Sequence, residues 1–548
     1  MVERLVRGLV FTGTVAIFAT AAFAQGNCEK LKELSLPDAT VTSAEVVPAG
    51  PFKLPPGLVP SIDLPTFCRV RAEMKPTGDS LIMIEVWMPA ENWNGKYEQL
   101  GNGGLAGSIN LFLLGSEMKK GFATAGTDDG HEGQGTDGSW AKGHPEKVID
   151  FGYRAVHETS LKAKRIIAAY YQKSPRYAYF SGCSEGGREA LMEAQRYPAD
   201  FNGILAGSPA HYWTSLMAAF AWNAQALNDA ASYPSAGKRS TVEKAAVAQC
   251  GTQGGVTDNF IKDPLICHFR PAKLLCKGGD SDSCLTQPQV NAFEKIYGGP
   301  VNPATGKKIS AGYEPGAEAE PGLPGISFAS YVFGAGSGMS LDAIFSSSFY
   351  GAFVFDNAAW KFSQLNFDQD IAMTEEKVGA ILNASNPDLN AFRDHRGKLI
   401  QYHGWNDGSP PPLHSVEYFQ SVSAKMGGVE KTQRFYRLFM VPGMMHCGSG
   451  PGPNAFGNYL DFAPAKDPQH NIFVALEDWV ENGTAPEEII ATKYKDDKPA
   501  NGVEMTRPIC PFPQQARWNG KGDTSDAASW SCVNPTVARK QKTIKEKQ

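Results

Sequence analysis

Ser184 stands in the segment 177–198, YAYFSGCSEGGREALMEAQRYP, which combines three structural patterns. The apolar and aromatic residues 177–180 predict a short strand, and an apolar face that begins at Ala190 predicts a helix. Between them lies Gly-Cys-Ser-Glu-Gly, where glycines flank a serine because side chains at those positions would clash with the strand and the helix. G-x-S-x-G arises often by chance, but the strand-turn-helix setting favours a serine nucleophile for acyl transfer.

Asp407 and His446 are the candidate partners of this serine, which needs a base to accept its proton and a carboxylate to orient the base. Asp407 follows a predicted strand at 398–402, and His446 follows one at 434–440. The chain order Ser, Asp, His, each on a loop after a strand, is that of α/β-hydrolases. His403 also lies at a strand end, but it precedes the acid and suits a structural or substrate-contacting role.

Two cysteines adjoin the candidate site. Cys183 immediately precedes Ser184, and Cys447 immediately follows His446. If serine and histidine lie within hydrogen-bond reach, their neighbours are forced together, and in an oxidising compartment they would form a disulfide. The alternative, two unrelated buried thiols, treats this double adjacency as chance.

The segment 97–104, YEQLGNGG, predicts a strand that runs into a glycine-rich loop. Such glycines can simply form a tight turn. We favour a second interpretation, in which the loop offers backbone N–H groups to an oxyanion, as the loop after an early strand does in α/β-hydrolases.

The bulk composition is that of an ordinary globular protein. The chain has 548 residues, 42% of them hydrophobic and 20% charged, and a net charge of -5. This balance gives no reason to expect nucleic acid or an anionic membrane as a partner.

The first 24 residues predict a secretory signal peptide. Arg4 and Arg7 precede an apolar run that ends in the cleavage motif Ala-Phe-Ala at 22–24. The alternative is a membrane anchor, but the run is short for a bilayer span. We therefore expect a secreted or periplasmic protein with no membrane contact after cleavage.

The chain has ten cysteines, and none lies in the predicted signal peptide. In an exported protein an even number favours disulfides over metal or redox chemistry, and no C-x-x-C pair occurs.

Strand and helix patterns alternate in two parts of the chain, 25–210 and 371–548, which predicts an α/β fold. Between them, 211–370 is irregular, rich in glycine, serine and aromatic residues, and contains four cysteines. Because a structureless connection of this length is improbable, we predict a large inserted lid domain that disulfides stabilise.

These motifs resemble the tannase and feruloyl esterase family, which includes feruloyl esterases, tannases and the bacterial hydrolase of mono(2-hydroxyethyl) terephthalate. The similar stretches include GNGGLAG at 101, WAKGHPEKVIDFGYRAVHE at 140, GCSEGG at 182, YHGWND at 402 and VPGMMHCG at 441, and the resemblance covers essentially the whole mature chain. The resemblance implies a disulfide-rich α/β-hydrolase with a lid, a Ser184–Asp407–His446 triad, and an oxyanion hole from the N–H groups of Gly104 and Glu185. It also implies five disulfides: Cys28–Cys68, Cys183–Cys447, Cys250–Cys267, Cys276–Cys284 and Cys510–Cys532.

One departure from this family concerns a structural calcium in the lid. The family's loop has the form C-D-x-x-D-G-x-x-D-G, whereas here 250–259 reads CGTQGGVTDN and keeps only Asp258 of three carboxylates. Since calcium prefers six to eight oxygen ligands, several of them charged, we expect weak or absent calcium and no other cofactor.

The predicted function is hydrolysis of small aromatic esters of the hydroxycinnamic or gallic type. Terephthalate monoesters rank lower, because no lysine or arginine in 309–360 could bind a free carboxylate. A serine peptidase, an acyltransferase and a non-catalytic binding protein on the same scaffold remain alternatives. Aromatic residues of the lid are candidates either for the acyl pocket or for the lid core: Phe328, Tyr331, Phe333, Phe349 and Tyr350.

Overall fold

The structure is a computed structural model that describes residues 27–55, 60–322 and 325–535. The predicted signal peptide lies outside the described residues. Among the described residues, no helix has both the length and the apolar character needed to cross a bilayer.

A mixed sheet of nine strands forms the centre of the described structure, in the order β1-β4-β5-β7-β6-β8-β9-β12-β13. The first three pairings are antiparallel and the remaining five are parallel. The sheet strands are β1 (Ala39–Val47), β4 (Phe67–Met74), β5 (Ile82–Pro89), β6 (Lys96–Leu100), β7 (Ala123–Thr127), β8 (Tyr177–Cys183), β9 (Gly203–Gly207), β12 (Lys398–Gly404) and β13 (Tyr436–Val441). Four small hairpins lie outside the sheet: β2 (Gly50–Lys53) with β3 (Ser61–Leu64), β10 (Thr252–Gln253) with β11 (Val256–Thr257), β14 (Ile489–Tyr494) with β15 (Val503–Ile509), and β16 (Gln515–Trp518) with β17 (Trp530–Val533).

The parallel half of the sheet positions the candidate site. Strands β9 and β13 are buried at every residue, as expected where helices cover both faces of a sheet. Because β6, β8, β9, β12 and β13 run in the same direction, the loops after β6, β8, β12 and β13 leave at one edge. Those four loops carry the residues that the sequence singles out.

The α-helices pack against the sheet and within the segment 211–370. In chain order they are α1 (Leu111–Met118), α2 (Pro145–Ile149), α3 (Ala155–Tyr171), α4 (Glu185–Arg196), α5 (Trp213–Ala226), α6 (Ala236–Cys250), α7 (Gln287–Gly298), α8 (Leu341–Phe349), α9 (Asp370–Thr374), α10 (Ala380–Leu382), α11 (Asn390–Asp394), α12 (Pro412–Met426), α13 (Val429–Thr432) and α14 (Ile472–Asn482). Short π-helical segments occur at Asp150–Arg154, Ala329–Phe333, Tyr350–Val354 and Glu375–Gly379.

The segment 211–370 contains more regular structure than its sequence suggests. Helices α5 to α8 lie within it, and their apolar side chains form a hydrophobic cluster that also includes Leu105 and Phe151. Helix α5 is buried on nearly every side, so its sequence lacks the polar face that reveals an amphipathic helix. The division into a core and a lid stays a prediction.

All ten cysteines are paired, and the five disulfides are those that the resemblance implies: Cys28–Cys68, Cys183–Cys447, Cys250–Cys267, Cys276–Cys284 and Cys510–Cys532.

Candidate catalytic site

Ser184 lies between the end of β8 and the first turn of α4, with a backbone φ of 65° and ψ of -118°. A non-glycine residue with positive φ is uncommon and marks a constrained turn. The flanking glycines permit the close approach of strand and helix, since a Cβ at Gly182 would lie 2.6 Å from the carbonyl oxygen of Gly186. The turn is closed by hydrogen bonds from the Ser184 N–H to the Gly207 carbonyl and from the Arg188 N–H to the Ser184 carbonyl.

Asp407 and His446 form a hydrogen-bonded acid–base pair. The Nδ1 atom of His446 lies 2.9 Å from Oδ2 of Asp407, and both side chains are almost completely buried. Burial alone would raise the pKa of Asp407, but the charge of His446 and hydrogen bonds from His403 and His446 outweigh it and hold that pKa well below its ordinary value. Asp407 is therefore a carboxylate that can orient the imidazole and stabilise its protonated form.

His403 contacts the carboxylate of Asp407. Its side chain is fully buried, and its Nε2 lies 3.2 Å from both Asp407 Oδ2 and the Pro410 carbonyl oxygen. A carbonyl only accepts hydrogen bonds, so Nε2 carries the proton, and Nδ1 accepts from the Ser415 hydroxyl 2.7 Å away. These contacts fit the structural role predicted for His403, since both ring nitrogens are occupied inside the protein. The alternative role in substrate contact stays a prediction.

The serine and histidine loops are joined covalently. Cys183 and Cys447 form a disulfide across 264 residues, with their Cα atoms 6.0 Å apart. Within the described part of the chain, no hydrogen bond links the Ser184 hydroxyl to His446. Such bonds are often long before substrate binds, so the disulfide is the contact that holds the two loops together here.

The loop after β6 lies beside the serine turn. The Gly186 N–H donates to the Asn102 carbonyl, and the Asn102 N–H donates to the carboxylate of Glu189 on α4. Gly104 has a φ of 61°, and a Cβ there would lie 2.2 Å from the Gly135 carbonyl oxygen, so a side chain does not fit.

The N–H groups of Gly104 and Glu185 are available as donors. Among the described residues, the Gly104 N–H has no hydrogen-bond partner, and the N–H of Glu185 is the first of its helix, where no intrahelical acceptor exists. The Glu185 side chain points away and is paired with the buried Arg188. This arrangement can present two N–H groups to a developing oxyanion.

His131 contacts the loop after β6, and the sequence did not indicate this contact. Its Nε2 lies 2.8 Å from the Leu105 carbonyl oxygen, and its ring stacks on Trp140 at 3.7 Å between centroids. Burial lowers the pKa of His131 to about 4, so the ring is neutral near pH 7.

The profile of the family described as tannase and feruloyl esterase matches residues 68–533. This chain belongs to that family. An uncharacterized esterase of Xanthomonas campestris pv. campestris is 41% identical over 543 residues, covering 95% of this chain and 93% of that protein. A probable feruloyl esterase B of Aspergillus clavatus is 31% identical, covering 96% of this chain and 98% of that protein.

Solved structures of family members share the fold. Feruloyl esterase B from Aspergillus oryzae superposes with a TM-score of 0.84 at 29% identity, covering 93% of this chain and 100% of that one. Tannin acyl hydrolase from Aspergillus niger shares the fold with a TM-score of 0.71 at 22% identity, covering 94% of each chain. The chain is thus a carboxylic ester hydrolase of the tannase and feruloyl esterase family with the α/β-hydrolase fold predicted from its sequence.

The residues at the calcium loop of this family member do not fit a calcium ion. Both oxygens of Asp258 face cations: Oδ2 lies 2.9 Å from Lys262 Nζ, and Oδ1 lies 3.4 Å from an Arg507 nitrogen. Two cations beside the one remaining carboxylate repel a divalent ion, so they disfavour calcium at this position.

Two of the five aromatic candidates, Tyr331 and Phe328, also contact the loops of the candidate site. All five are buried members of the hydrophobic cluster of 211–370, as lid-core residues would be. Tyr331 presents its ring edge-on to His446, with 5.4 Å between centroids. Phe328 lies against the acid loop, because a Cβ at Gly408 would be 2.4 Å from its Cα.

Proposed function

We propose that this family member is an exported serine esterase that cleaves esters of aromatic acids through an acyl-enzyme. The observation that carries the proposal is the buried Asp407–His446 pair, whose loop a disulfide ties to the turn of Ser184. An acid, a base and a candidate nucleophile thus lie on loops at one edge of the sheet, the kind of arrangement from which a Ser-His-Asp triad is built.

The proposed reaction follows from the placement of these groups. The Ser184 hydroxyl adds to the ester carbonyl while His446 takes its proton, and Asp407 stabilises the imidazolium that results. The N–H groups of Gly104 and Glu185 bind the tetrahedral oxyanion. His446 then protonates the leaving alcohol, and water attacks the acyl-enzyme by the same route to release the acid and free Ser184.

An aromatic acyl group is supported by the rings beside the base. Tyr331 contacts His446 directly and stacks with Phe345, so an apolar, aromatic surface adjoins the reacting atoms. Relatives that are named feruloyl esterase point to the same class of acid. The absence of lysine and arginine from 309–360 disfavours esters that carry a second, free carboxylate.

Export is supported by the cysteines. Every cysteine of the chain is disulfide-bonded, and disulfides persist in the periplasm and outside cells but are rare in a reducing cytosol.

Replacement of the nucleophile tests the proposal. Ser184→Ala should abolish hydrolysis of methyl ferulate and methyl gallate without changing the unfolding midpoint, because the side chain is only partly buried and its hydroxyl contributes no hydrogen bond to the fold. Ser181→Ala, on the strand β8 that leads to Ser184, removes a hydroxyl that bonds to Glu98; it is the control and should keep activity. A Ser184→Ala protein with wild-type rates would refute the assignment, and cleavage of a peptide amide in preference to these esters would favour a peptidase.

A further inference from the structure

A cavity lies beside the loop that carries His446, since Pro442 lines it. It measures about 430 Å³, within the range of small-molecule sites. Its wall is formed by the degenerate calcium loop, the hairpins near the C-terminal end of the described chain, and residues that flank the catalytic loops. None of Ser184, Asp407 and His446 lines it.

Two residues of the cavity wall have a hydrogen-bond donor that lacks an acceptor in the described part of the chain. Nε of Arg507 and Nε1 of Trp518 are buried and have no hydrogen-bond partner among the described residues. The Arg507 side chain is only 8% exposed. A buried donor without an acceptor is costly, so a ligand with acceptor oxygens would be stabilised here.

The described wall of this cavity carries three cationic side chains, Lys262, Arg507 and Arg517, and one carboxylate, Asp263. Lys262 and Arg507 share the single carboxylate of Asp258. Asp258 does not itself line the cavity, and Asp263, which does, accepts hydrogen bonds from the Gln515 amide and the Leu265 N–H. An anionic group in the cavity would therefore meet a wall in which cationic side chains outnumber acidic ones.

Aromatic rings form the rest of the wall. Trp530 lies beneath the Arg507 guanidinium at 4.3 Å from its centroid, and further rings come from three other elements: Phe260, Trp405 and Phe512. Flat apolar walls of this kind suit a planar ring.

We infer that this cavity binds an aromatic carboxylate, with the acid group against Lys262 and Arg507 and the ring among the tryptophans and phenylalanines. The acid released in the proposed reaction has the same chemistry, but the inference rests on the cavity alone. The site adjoins the catalytic loops, because Trp405 precedes Asp407 by two residues and Pro442 begins the loop of His446.

Equilibrium dialysis of the mature protein against 4-hydroxycinnamate tests this inference. We expect a binding class that Lys262→Met and Arg507→Met each weaken about tenfold or more, the effect of losing one charge-assisted hydrogen bond. Trp518→Phe keeps the charge and the ring but removes one donor, so it should weaken the same class severalfold. The neutral isostere 4-hydroxycinnamamide should bind this class at least tenfold more weakly.

The matched control is Arg434→Met, which removes a surface arginine that is 72% exposed and does not line the cavity. It should bind the acid like the wild type, and near-UV circular dichroism reports whether each variant is folded. Equal binding of acid and amide, or wild-type binding by folded Lys262→Met and Trp518→Phe proteins, would overturn the inference. The proposed reaction is judged separately by hydrolysis in Ser184→Ala, so either idea can fail alone.

Discussion

The Cys183–Cys447 disulfide should contribute more to stability than any other in the protein, because it closes the longest loop. In the chain-entropy model a loop of 264 residues is worth about 5.5 kcal/mol, whereas the 8-residue loop of Cys276–Cys284 is worth about 2.5 kcal/mol. The double replacement Cys183→Ala/Cys447→Ala should therefore cost about 3 kcal/mol more than Cys276→Ala/Cys284→Ala. Such a loss is a large fraction of the stability of an ordinary domain.

The catalytic rate should also differ between the two double cysteine variants. Cys183 and Cys447 adjoin the proposed nucleophile and base, so their removal frees the two loops to move apart, and a misplacement of about 1 Å can cost about a hundredfold in rate. Loss of the Cys276–Cys284 disulfide leaves that geometry untouched.

Urea unfolding followed by tryptophan fluorescence measures the stability difference, and hydrolysis of methyl ferulate at a temperature where both variants are folded measures the rate. Equal losses of stability would refute the loop-length argument. A folded Cys183→Ala/Cys447→Ala protein with the wild-type kcat would refute the claim that the disulfide fixes the site.

Three further predictions concern buried ionisable side chains. Asp407→Asn should keep the fold but lower kcat by about 10⁴-fold, because the amide favours the wrong imidazole tautomer, and a loss below tenfold would contradict the assigned role. His131, whose pKa burial lowers from 6.5 to about 4, should make folding stability fall as pH drops from about 6.5 towards 4, because the unfolded chain binds the proton first. The contribution is about 3 kcal/mol, and it should be missing from the pH profile of unfolding of His131→Gln; identical wild-type and variant profiles would refute it. Asp258→Asn leaves two buried cations without their carboxylate and should cost about 3–5 kcal/mol, whereas EDTA should not change the wild-type Tm; a Tm lowered by EDTA would show that a metal binds after all.

The catalytic loops were predictable because their signals are local. Ser184, Asp407 and His446 each follow a strand whose apolar run is visible in the sequence, and the adjacency of Cys183 and Cys447 links two distant loops without a structure. The structure contains this disulfide and the acid–base contact. The catalytic roles themselves stay predictions.

Other features depend on contacts between distant segments and leave no local signal. Helix α5 is buried almost all round, so the sequence of 211–370 looks irregular although it folds into helices. The partner that Asp258 finds in Arg507 lies 249 residues further along the chain. His403 could be placed beside Asp407 from the sequence, but its complete burial and its hydrogen bond to Ser415 depend on the folded chain.

The order of the cysteines along the chain has a consequence for maturation. The Cys183–Cys447 disulfide encloses two others, Cys250–Cys267 and Cys276–Cys284, so Cys183 is not bonded to the next cysteine in sequence. If the protein is exported from its N-terminus as proposed, an oxidase that joined cysteines as they emerged would bond Cys183 to Cys250 and leave Cys447 with a wrong partner. Production of active enzyme should therefore depend on a disulfide isomerase, which can exchange such early pairs for the native ones.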